Sequence, residues 1–257
     1  PPIKEKTRAK HRDLPDQRVR ARQPVEEEDG YEEQAKGQCG KEHLFINGET
    51  ATLACQMRQD GLVSDALSRL LVQPEAWIDA DPDPGTRSVI EKLSSSSNLL
   101  GDHFNTKLSF GTAGLRAERG VGPSRMNRVS VRVAARAIGG YLNHRGLAHK
   151  GVVIGYDARP DSDVYALDSA RLLTALGVQC WLIDEPCPTP VVVCHQMVRS
   201  AAGAIVVTAS HNPASDSGYK VYGPDGTQIR PPIDKEIELL MDFSSLPTET
   251  DLANSNE

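Results

Sequence analysis

Long apolar segments are absent from this 257-residue sequence. It contains no run of about 18 or more apolar residues, the length that a transmembrane helix needs. The first residues also lack the apolar core of a secretory signal peptide. We therefore expect no membrane contact and a cytoplasmic location.

Paired cysteines are missing as well. The five cysteines are an odd number, and no two of them form a C-x-x-C pair. Zinc sites and disulfide frameworks are usually built on such pairs or on an even set, so neither is expected. We interpret all five as reduced structural or incidental thiols. They are Cys39, Cys55, Cys180, Cys187 and Cys194.

The chain has no excess of basic residues. Its formal net charge is -6, whereas the basic surface of a dedicated nucleic-acid binder usually shows in the overall charge. We expect no nucleic-acid partner. A small anionic substrate is compatible with this charge, because a few local Arg and Lys residues suffice to bind one phosphate.

Residues 1–65 form an N-terminal extension to which we assign no chemistry. Lys and Arg are dense from Pro1 to Gln23, and an acidic block lies between Pro24 and Glu33. Charge blocks with almost no apolar periodicity are typical of disordered segments, so we predict a disordered N-terminal segment. A basic arm that touches nucleic acid or acts as an address signal stays open as an alternative.

Residues 66–106 predict a helical lead-in to the domain that follows. Within it, we interpret Val72–Pro84 as a loop and Thr86–Leu93 as a short helix that begins near Thr86. The serine tetrad Ser94–Ser97 is typical of a linker.

From residue 107 to residue 243, apolar runs alternate with amphipathic stretches. Val152–Ile154 and Ala204–Val207 have the pattern of short buried strands, and the spacing of apolar residues predicts a helix over Arg128–Leu147. This alternation predicts an α/β fold, a three-layer α/β/α domain around a mostly parallel mixed sheet. Ligands bind such sheets at the loops beyond the carboxyl ends of the strands. Those loops are Tyr156–Pro160, Pro186–Pro190 and Thr208–Asp216.

The loop Thr208–Pro213 presents one serine, Ser210, among small polar residues. A lipase-type nucleophile is excluded, because the G-x-S-x-G elbow is missing. His211 is poorly placed as a base for Ser210, since adjacent side chains tend to point apart. A serine in this setting can carry a phosphoryl group whose charge backbone N–H groups and cations stabilise. On spacing alone, an inert Ser/Asn turn remains the simpler interpretation.

Six short motifs follow one another in a recognisable order. They are Phe110–Arg116 (FGTAGLR), Ser124–Asn127 (SRMN), Gly155–Arg159 (GYDAR), Pro188–Pro190 (PTP), Thr208–Pro213 (TASHNP) and Gly218–Tyr222 (GYKVY). Together they resemble the α-D-phosphohexomutase superfamily, in the branch of phosphoglucomutases and phosphopentomutases that includes glucose-1,6-bisphosphate synthase. The resemblance implies a phosphosugar mutase whose first domain of four spans residues 107–243. Residues 244–257 are then expected to be a C-terminal tail, truncated before the second domain.

The resemblance also implies catalytic roles for three residues. Ser210 is expected to be the phosphoserine that donates a phosphoryl group to a sugar phosphate and takes one back from a bisphosphorylated intermediate. Lys220 is expected to stabilise charge near the transferring phosphate and to assist proton transfer. His211 is expected to shape the loop and to take a direct part in catalysis.

Six further positions match the motifs by residue. Arg116, Thr112, Asn212 and Thr208 are expected to bind the substrate or the phosphoserine phosphate. Asp157 and Arg159 are expected to support the active-site loop as an ion pair rather than to touch substrate. For Arg116, an ion pair that only holds its loop is the alternative, and for Lys220 a solvated strand lysine.

The implied cofactors are Mg²⁺ and glucose-1,6-bisphosphate as the priming phosphate donor. Ser210 is expected to be one metal ligand through its phosphate. The superfamily's metal loop, D-G-D-x-D-R, does not occur in this sequence, so we expect the remaining ligands in the missing second domain. Small-molecule sugar phosphates are the expected partners.

Two positions depart from the superfamily pattern. Ser217 stands where Asn usually precedes Gly-Tyr-Lys, which keeps a polar group but loses the amide. Ala117 replaces a common Gly. These departures and the missing metal loop leave a second interpretation open, a non-catalytic fragment or pseudoenzyme that retains the fold as a binding module. A partner-binding protein that acts through its basic N-terminal arm is a third.

Overall fold

The computed structural model describes residues 72–95, 97–112 and 114–254. The predicted N-terminal extension, residues 1–65, lies outside the described residues, as do the first residues of the predicted lead-in.

The described residues form seven α-helices and five β-strands. The helices are α1 (Pro74–Ala80), α2 (Thr86–Ser94), α3 (Ser97–Phe104), α4 (Arg128–His144), α5 (Ser162–Ala175), α6 (Thr189–Arg199) and α7 (Ile233–Leu240). The strands are β1 (Leu115–Glu118), β2 (Val152–Tyr156), β3 (Cys180–Leu182), β4 (Gly203–Val207) and β5 (Asp216–Tyr222). Two short 3₁₀ helices, Ala148–Lys150 and Glu249–Asp251, complete the described part. Among these helices, none combines the length and apolar character required to cross a bilayer.

One five-stranded sheet lies at the centre, in the order β1-β5-β4-β2-β3. Strand β2 pairs in parallel with β3 and β4, whereas β5 is antiparallel to both β4 and β1. The antiparallel pairing of β4 with β5 arises because only a short loop joins them, which reverses the chain direction. The predicted α/β/α fold with a mixed sheet is confirmed, and its parallel pairings are two of four.

The two faces of the sheet are covered by different helices. On β4, Ile205 and Val207 belong to the main core together with apolar residues of α4, α5 and α7. The alternate residues Ala204 and Val206 pack with Val192 of α6 in a smaller core. Because side chains alternate across a strand, α6 lies on one face and α4, α5 and α7 lie on the other.

Three elements differ from the sequence predictions. Val72–Pro84 was predicted as a loop, and this is wrong because α1 lies within it. Pro74 stands in the first turn of α1, where a missing N–H costs nothing. Strand β1 and helix α3 were not predicted. All three elements have fewer than nine residues, too few to give a clear apolar period.

Helix α1 is held by a buried tryptophan. Trp77 is fully buried, contacts Phe104 edge-on at 5.9 Å and stacks on Phe243 at 6.4 Å between ring centroids. Such aromatic pairs contribute about 0.5–1.5 kcal/mol beyond their buried area. Trp77 therefore anchors the helices before β1 to the chain that follows α7.

A buried ionic cluster joins α4 to α5. The Asp168 carboxylate accepts hydrogen bonds from Arg128 (2.7 and 2.8 Å) and from Arg132 (2.9 Å). Arg132 and Asp168 are both completely buried, and Arg132 also bonds Glu249 of the C-terminal 3₁₀ helix at 2.7 Å. A buried charge is tolerated only when paired, so the four residues of this cluster depend on one another.

Two buried serines on the α5 side of the sheet have different surroundings. Ser169 of α5 accepts a 2.8 Å hydrogen bond from the Tyr219 hydroxyl, and burial raises the pKa of Tyr219, which keeps that hydroxyl protonated. Ser217 of β5 is also fully buried, but its hydroxyl has no hydrogen-bond partner within the part of the chain that the structure describes.

We predict that Asp168→Asn destabilises the chain by about 3–5 kcal/mol, because it removes the buried negative charge that Arg128 and the fully buried Arg132 share. Urea denaturation followed by circular dichroism measures the change. The matched control is Glu118→Gln, since the exposed Glu118 carboxylate lies 3.9 Å from Arg125 and such a pair contributes at most about 1 kcal/mol. Equal unfolding midpoints for the two variants would contradict the prediction.

The two serines give a second prediction. Ser169→Ala should cost about 1–3 kcal/mol, because it leaves the buried Tyr219 hydroxyl unpaired. Ser217→Ala should be neutral or stabilising by up to about 1 kcal/mol, because it removes a buried hydroxyl that already lacks a partner. Thermal and urea unfolding of both variants test this contrast, and a larger loss for Ser217→Ala would show that its hydroxyl has a partner.

Candidate active site

The loops that follow β2, β3 and β4 meet at one edge of the sheet. These strands are parallel, so their carboxyl ends lie together, as expected for the ligand-binding edge of an α/β domain. Strand β1 is antiparallel to β5 and ends at the same edge, where Glu118 lies opposite Asp216. Four chain segments therefore meet at this edge, and the loop 208–215 is one of them.

Ser210 lies in this loop, exposed to solvent, three residues beyond the end of β4. Its φ angle is 60°, in the left-handed region. A non-glycine residue there costs on the order of 1–3 kcal/mol and persists only when neighbouring groups fix it. The contacts of the loop show what fixes Ser210.

The loop makes several hydrogen bonds of its own. The Ser210 N–H donates to the Thr208 hydroxyl at 3.0 Å, and the Asn212 N–H donates to the Ala209 carbonyl at 3.1 Å. The Ser210 Oγ lies 3.5 Å from Nδ1 of His211, at the outer limit of a hydrogen bond. The adjacent histidine thus approaches the serine without forming a short nucleophile–base pair.

Arg159 binds the backbone of the same loop. Its guanidinium donates to the carbonyls of Ser210 (3.1 Å), Asn212 (2.7 Å), Pro213 (2.6 Å) and Asp216 (3.1 Å). Asp157 lies 3.2 Å from Arg159 Nε and also accepts from the Ser162 hydroxyl at 2.9 Å. The Arg159 side chain is 15% exposed, so solvent screens these contacts little.

Arg119 was not identified from the sequence, yet it binds the other half of the loop. Its side chain donates to the carbonyls of Ala214 and Ser215, both at 3.4 Å, and its own N–H donates to Ser215 at 3.0 Å. It also bonds Asp161 at 2.9 Å and the Pro160 carbonyl at 3.3 Å. The only sequence signal was its place one residue beyond a strand end that was itself not predicted.

Arg116 and Lys220 project from the same face of the sheet. Arg116 pairs with Gly218 across β1 and β5, and Lys220 lies two residues further along β5. Diagonal neighbours of this kind have Cα atoms roughly 7–8 Å apart. Arg116 Nη1 donates to the Asn212 side chain at 2.8 Å, and its buried Nε has no partner among the described residues.

The Lys220 ammonium is unpaired: it forms no hydrogen bond or ion pair with any residue that the structure describes, and its side chain is half-buried. The register continues from β5 to β4, where the Thr208 N–H donates to the Gly218 carbonyl at 2.9 Å. Gly218 has to be a glycine here, because a Cβ would lie 2.6 Å from the Thr208 carbonyl oxygen. Thr208 and Arg116 therefore flank Gly218, and Lys220 lies two residues further along β5 on the same face of the sheet.

Thr112 is the predicted site residue that lies apart from these contacts. It is exposed in the turn between Gly111 and Gly114, and its carbonyl accepts a hydrogen bond from Gln228 at 3.1 Å. Gly114 has φ 87°, and a Cβ on it would lie 2.4 Å from the Tyr219 carbonyl oxygen. The turn therefore packs directly on β5, but in the described residues no hydrogen bond links Thr112 to the Ser210 loop.

The described residues do not form a Mg²⁺ site by themselves. Within ranges 72–95, 97–112 and 114–254, no group of three or more His, Cys, Asp or Glu side chains is placed to hold a metal. The carboxylates near Ser210 are already engaged: Asp157 by Arg159 and Ser162, and Asp216 by Asn212 at 2.8 Å and Ser215 at 3.1 Å. A phosphate on Ser210 would add one oxygen ligand, which is too few for Mg²⁺.

Several known proteins are similar to this chain. It is 36% identical to the phosphopentomutase of Mus musculus over 187 residues, which cover 69% of this chain and 30% of that protein. It is 34% identical to the glucose 1,6-bisphosphate synthase of Pongo abelii over 171 residues, 63% of this chain and 28% of that protein. The chain thus spans less than a third of the length of these relatives.

A solved phosphoglucomutase/phosphomannomutase family protein from Burkholderia thailandensis is 24% identical, with a TM-score of 0.47 over 54% of this chain and 31% of that one. The family model for phosphoglucomutase/phosphomannomutase, alpha/beta/alpha domain I, matches residues 107–245, more than half of the chain. This confirms the resemblance inferred from the motifs. The chain belongs to the phosphoglucomutase/phosphomannomutase family, of which residues 107–245 are the α/β/α domain I.

Proposed function

We propose that this chain serves a phosphosugar mutase and that Ser210 carries the transferred phosphoryl group. The observation that supports this most is the presentation of Ser210: an exposed hydroxyl on a left-handed residue whose own carbonyl is bound by Arg159. Such conformations in non-glycine residues cluster at active sites and ligand-binding loops. Family membership supports the reaction class, an isomerase acting on phosphosugars.

The proposed reaction has two phosphoryl transfers, one from phosphoserine to the sugar phosphate and one back to Ser210. A sugar-phosphate hydroxyl attacks the phosphorus of phosphoserine, the P–Oγ bond breaks, and the hydroxyl proton ends on Ser210 Oγ. The resulting sugar bisphosphate turns in the site, and Ser210 attacks its other phosphate, with the proton returning to the sugar oxygen. The net change moves the phosphate between C1 and C6 of a hexose, or between C1 and C5 of a pentose.

Each nearby side chain has a proposed part in these steps. Lys220, whose ammonium has no partner among the described residues, stabilises the charge of the transferring group and assists the proton transfer. Arg116 contributes a second positive charge from the same face of the sheet. His211 Nδ1, 3.5 Å from Ser210 Oγ, is the proposed proton relay.

The remaining predicted site residues position these groups. Thr208 and Asn212 fix the loop through their bonds to Ser210 and Arg116, and Asp157 orients Arg159. Thr112 is proposed to contact the substrate phosphate from the turn next to β5. A small sugar phosphate is the proposed partner, and the cytoplasm is the proposed location.

We further propose that Mg²⁺ and glucose-1,6-bisphosphate act as cofactors. Bound Mg²⁺ would neutralise charge on the phosphoryl oxygens during transfer. Because the described residues offer only the Ser210 phosphate as a ligand, turnover requires carboxylates from elsewhere. The relatives are more than three times as long as the matched segment. We propose that the carboxylates lie in a region corresponding to the unmatched part of these relatives.

A non-catalytic binding module is the second candidate. The observation that favours it is Ser217, which is fully buried at the position where the superfamily pattern has Asn and whose hydroxyl has no hydrogen-bond partner among the described residues. An unpaired hydroxyl on the core side of β5, adjacent to Gly218, is consistent with relaxed demands on the packing that supports the site. A binding module keeps the fold but transfers no phosphate, so a transfer assay separates the two candidates.

The test is transfer of labelled phosphate from glucose-1,6-bisphosphate. We predict that a chimera, in which residues 107–245 replace the matching segment of mouse phosphopentomutase, becomes labelled at Ser210 in Mg²⁺ and interconverts the sugar phosphates. Ser210→Ala should abolish both, whereas Ser215→Ala, in the same loop, should retain them. The 257-residue chain alone should stay unlabelled.

The controls decide between the alternatives. A folded chimera that takes up no label would favour the binding module. Label on the Ser210→Ala chimera would contradict the assignment of the nucleophile. Labelling of the 257-residue chain alone at Ser210 would contradict the need for further metal ligands.

A further inference from the structure

Two arginines together bind six of the seven backbone carbonyls from residue 210 to residue 216. Arg159 binds the carbonyls of Ser210, Asn212, Pro213 and Asp216. Arg119 binds those of Ala214 and Ser215. Among these seven, the His211 carbonyl is the one that accepts no hydrogen bond from Arg119 or Arg159. No helix or strand constrains residues 208–215, so hydrogen bonds from these arginines, together with the bonds within the loop, fix their backbone.

Arg119 also links this loop to the segment that carries Arg159. Its Nη1 bonds both the Pro160 carbonyl (3.3 Å) and the Asp161 carboxylate (2.9 Å), one and two residues beyond Arg159. Asp161 has φ 65°, so this neighbouring turn is also held in the left-handed region. From the end of β1, Arg119 thus contacts both the Ser210 loop and the turn at Pro160 and Asp161.

Resting on the function proposed above, we infer that Arg119 is a positioning residue that fixes Ser210 by holding these two loops in one arrangement. All three guanidinium nitrogens of Arg119 are committed to protein oxygens. It therefore sets where the phosphoserine stands and does not bind substrate. Lysine cannot replace it, because one ammonium lacks the planar fork that reaches the four oxygens from fixed directions.

The separate role of Arg119 follows from the geometry of its contacts. Arg159 reaches the loop from its own segment, next to Asp157, so it can move with that segment. Arg119 departs from the sheet, where its own N–H donates to Ser215 at 3.0 Å. Arg119 ties the loop both to the end of β1 and to the neighbouring turn. We expect loss of the Arg119 side chain to loosen residues 210–216, while the backbone bond from residue 119 to Ser215 and the core stay intact.

The first test is hydrogen–deuterium exchange of the 257-residue chain, read by mass spectrometry without substrate. Arg119→Lys and Arg119→Ala should both raise amide exchange across residues 210–216 by about five- to tenfold, as expected for the loss of one or two hydrogen bonds. Exchange in β2 and β4 should not change. Arg87→Lys is the matched control, because Arg87 is exposed on α2 and should leave the loop unaffected.

A second variant isolates the link between the loops. Asp161→Asn removes the carboxylate charge but suits the left-handed conformation of residue 161. It leaves the Arg119 bonds to Ala214 and Ser215 available, so loop exchange should rise less than in Arg119→Lys. Wild-type exchange in Arg119→Lys would overturn the inference, as would an equal rise of exchange in β2 and β4, which would indicate general loss of stability.

The second test uses the phosphopentomutase chimera described above. Arg119→Lys should lower kcat about tenfold and leave KM unchanged, because Arg119 positions the nucleophile without binding substrate. A raised KM with unchanged kcat would overturn the positioning role in favour of substrate binding. The exchange test needs no phosphate on Ser210, so failure of the proposed function and failure of this inference are distinguishable.

Discussion

The contact between arginine side chains and backbone carbonyls at the end of β4 is the interaction on which the site depends. Ser210 occupies a left-handed conformation that costs free energy, and no regular secondary structure maintains it. Charge-assisted hydrogen bonds from Arg159, partly shielded from water, offset that cost. The serine hydroxyl is thereby exposed and fixed at the same time, which a flexible loop does not achieve.

The sheet topology brings two cations to one face of the sheet. Because β5 runs antiparallel between β4 and β1, Arg116 and Lys220 emerge on one face, next to the strand that leads into Ser210. Glycine at position 218 lets the three strands pack without a side chain between them. The opposite face, with the buried Asp168 cluster, supplies the rigid support. Stability and chemistry are thus assigned to opposite faces of the same sheet.

Much of this arrangement was predictable from the sequence. The buried strands β2 and β4 were recognised from short apolar runs, and the polar loop after β4 pointed to Ser210 because such loops lie at the ligand-binding edge. The motifs then supplied the family, which the family match confirms. The short elements α1 and β1 were missed, since seven and four residues carry too little periodicity.

Arg119 could not be found in this way for a different reason. The partners of Arg119 are backbone carbonyls roughly 40 and 95 positions away in the chain, and a carbonyl leaves no trace in residue identity. The same holds for the four carbonyls bound by Arg159. Its ion pair with Asp157 and its support of the loop were expected from the resemblance, but the individual carbonyls that it binds appear only once the strands are assembled. Side chains that bind backbone are therefore the part of such a site that sequence reasoning is least able to supply.

The most direct measurement is a ³¹P NMR titration of the 257-residue chain carrying phosphoserine at position 210, compared with the same chain carrying it at position 215. An unperturbed phosphoserine has a second pKa of about 6, and nearby cations lower this pKa by favouring the dianion. If Ser210 is presented beside Arg116 and Lys220, we expect the phosphate at 210 to have a lower second pKa than the phosphate at 215, and Lys220→Met to raise it. Equal pKa values at the two positions would contradict the claim that this loop is built to hold a phosphoryl group.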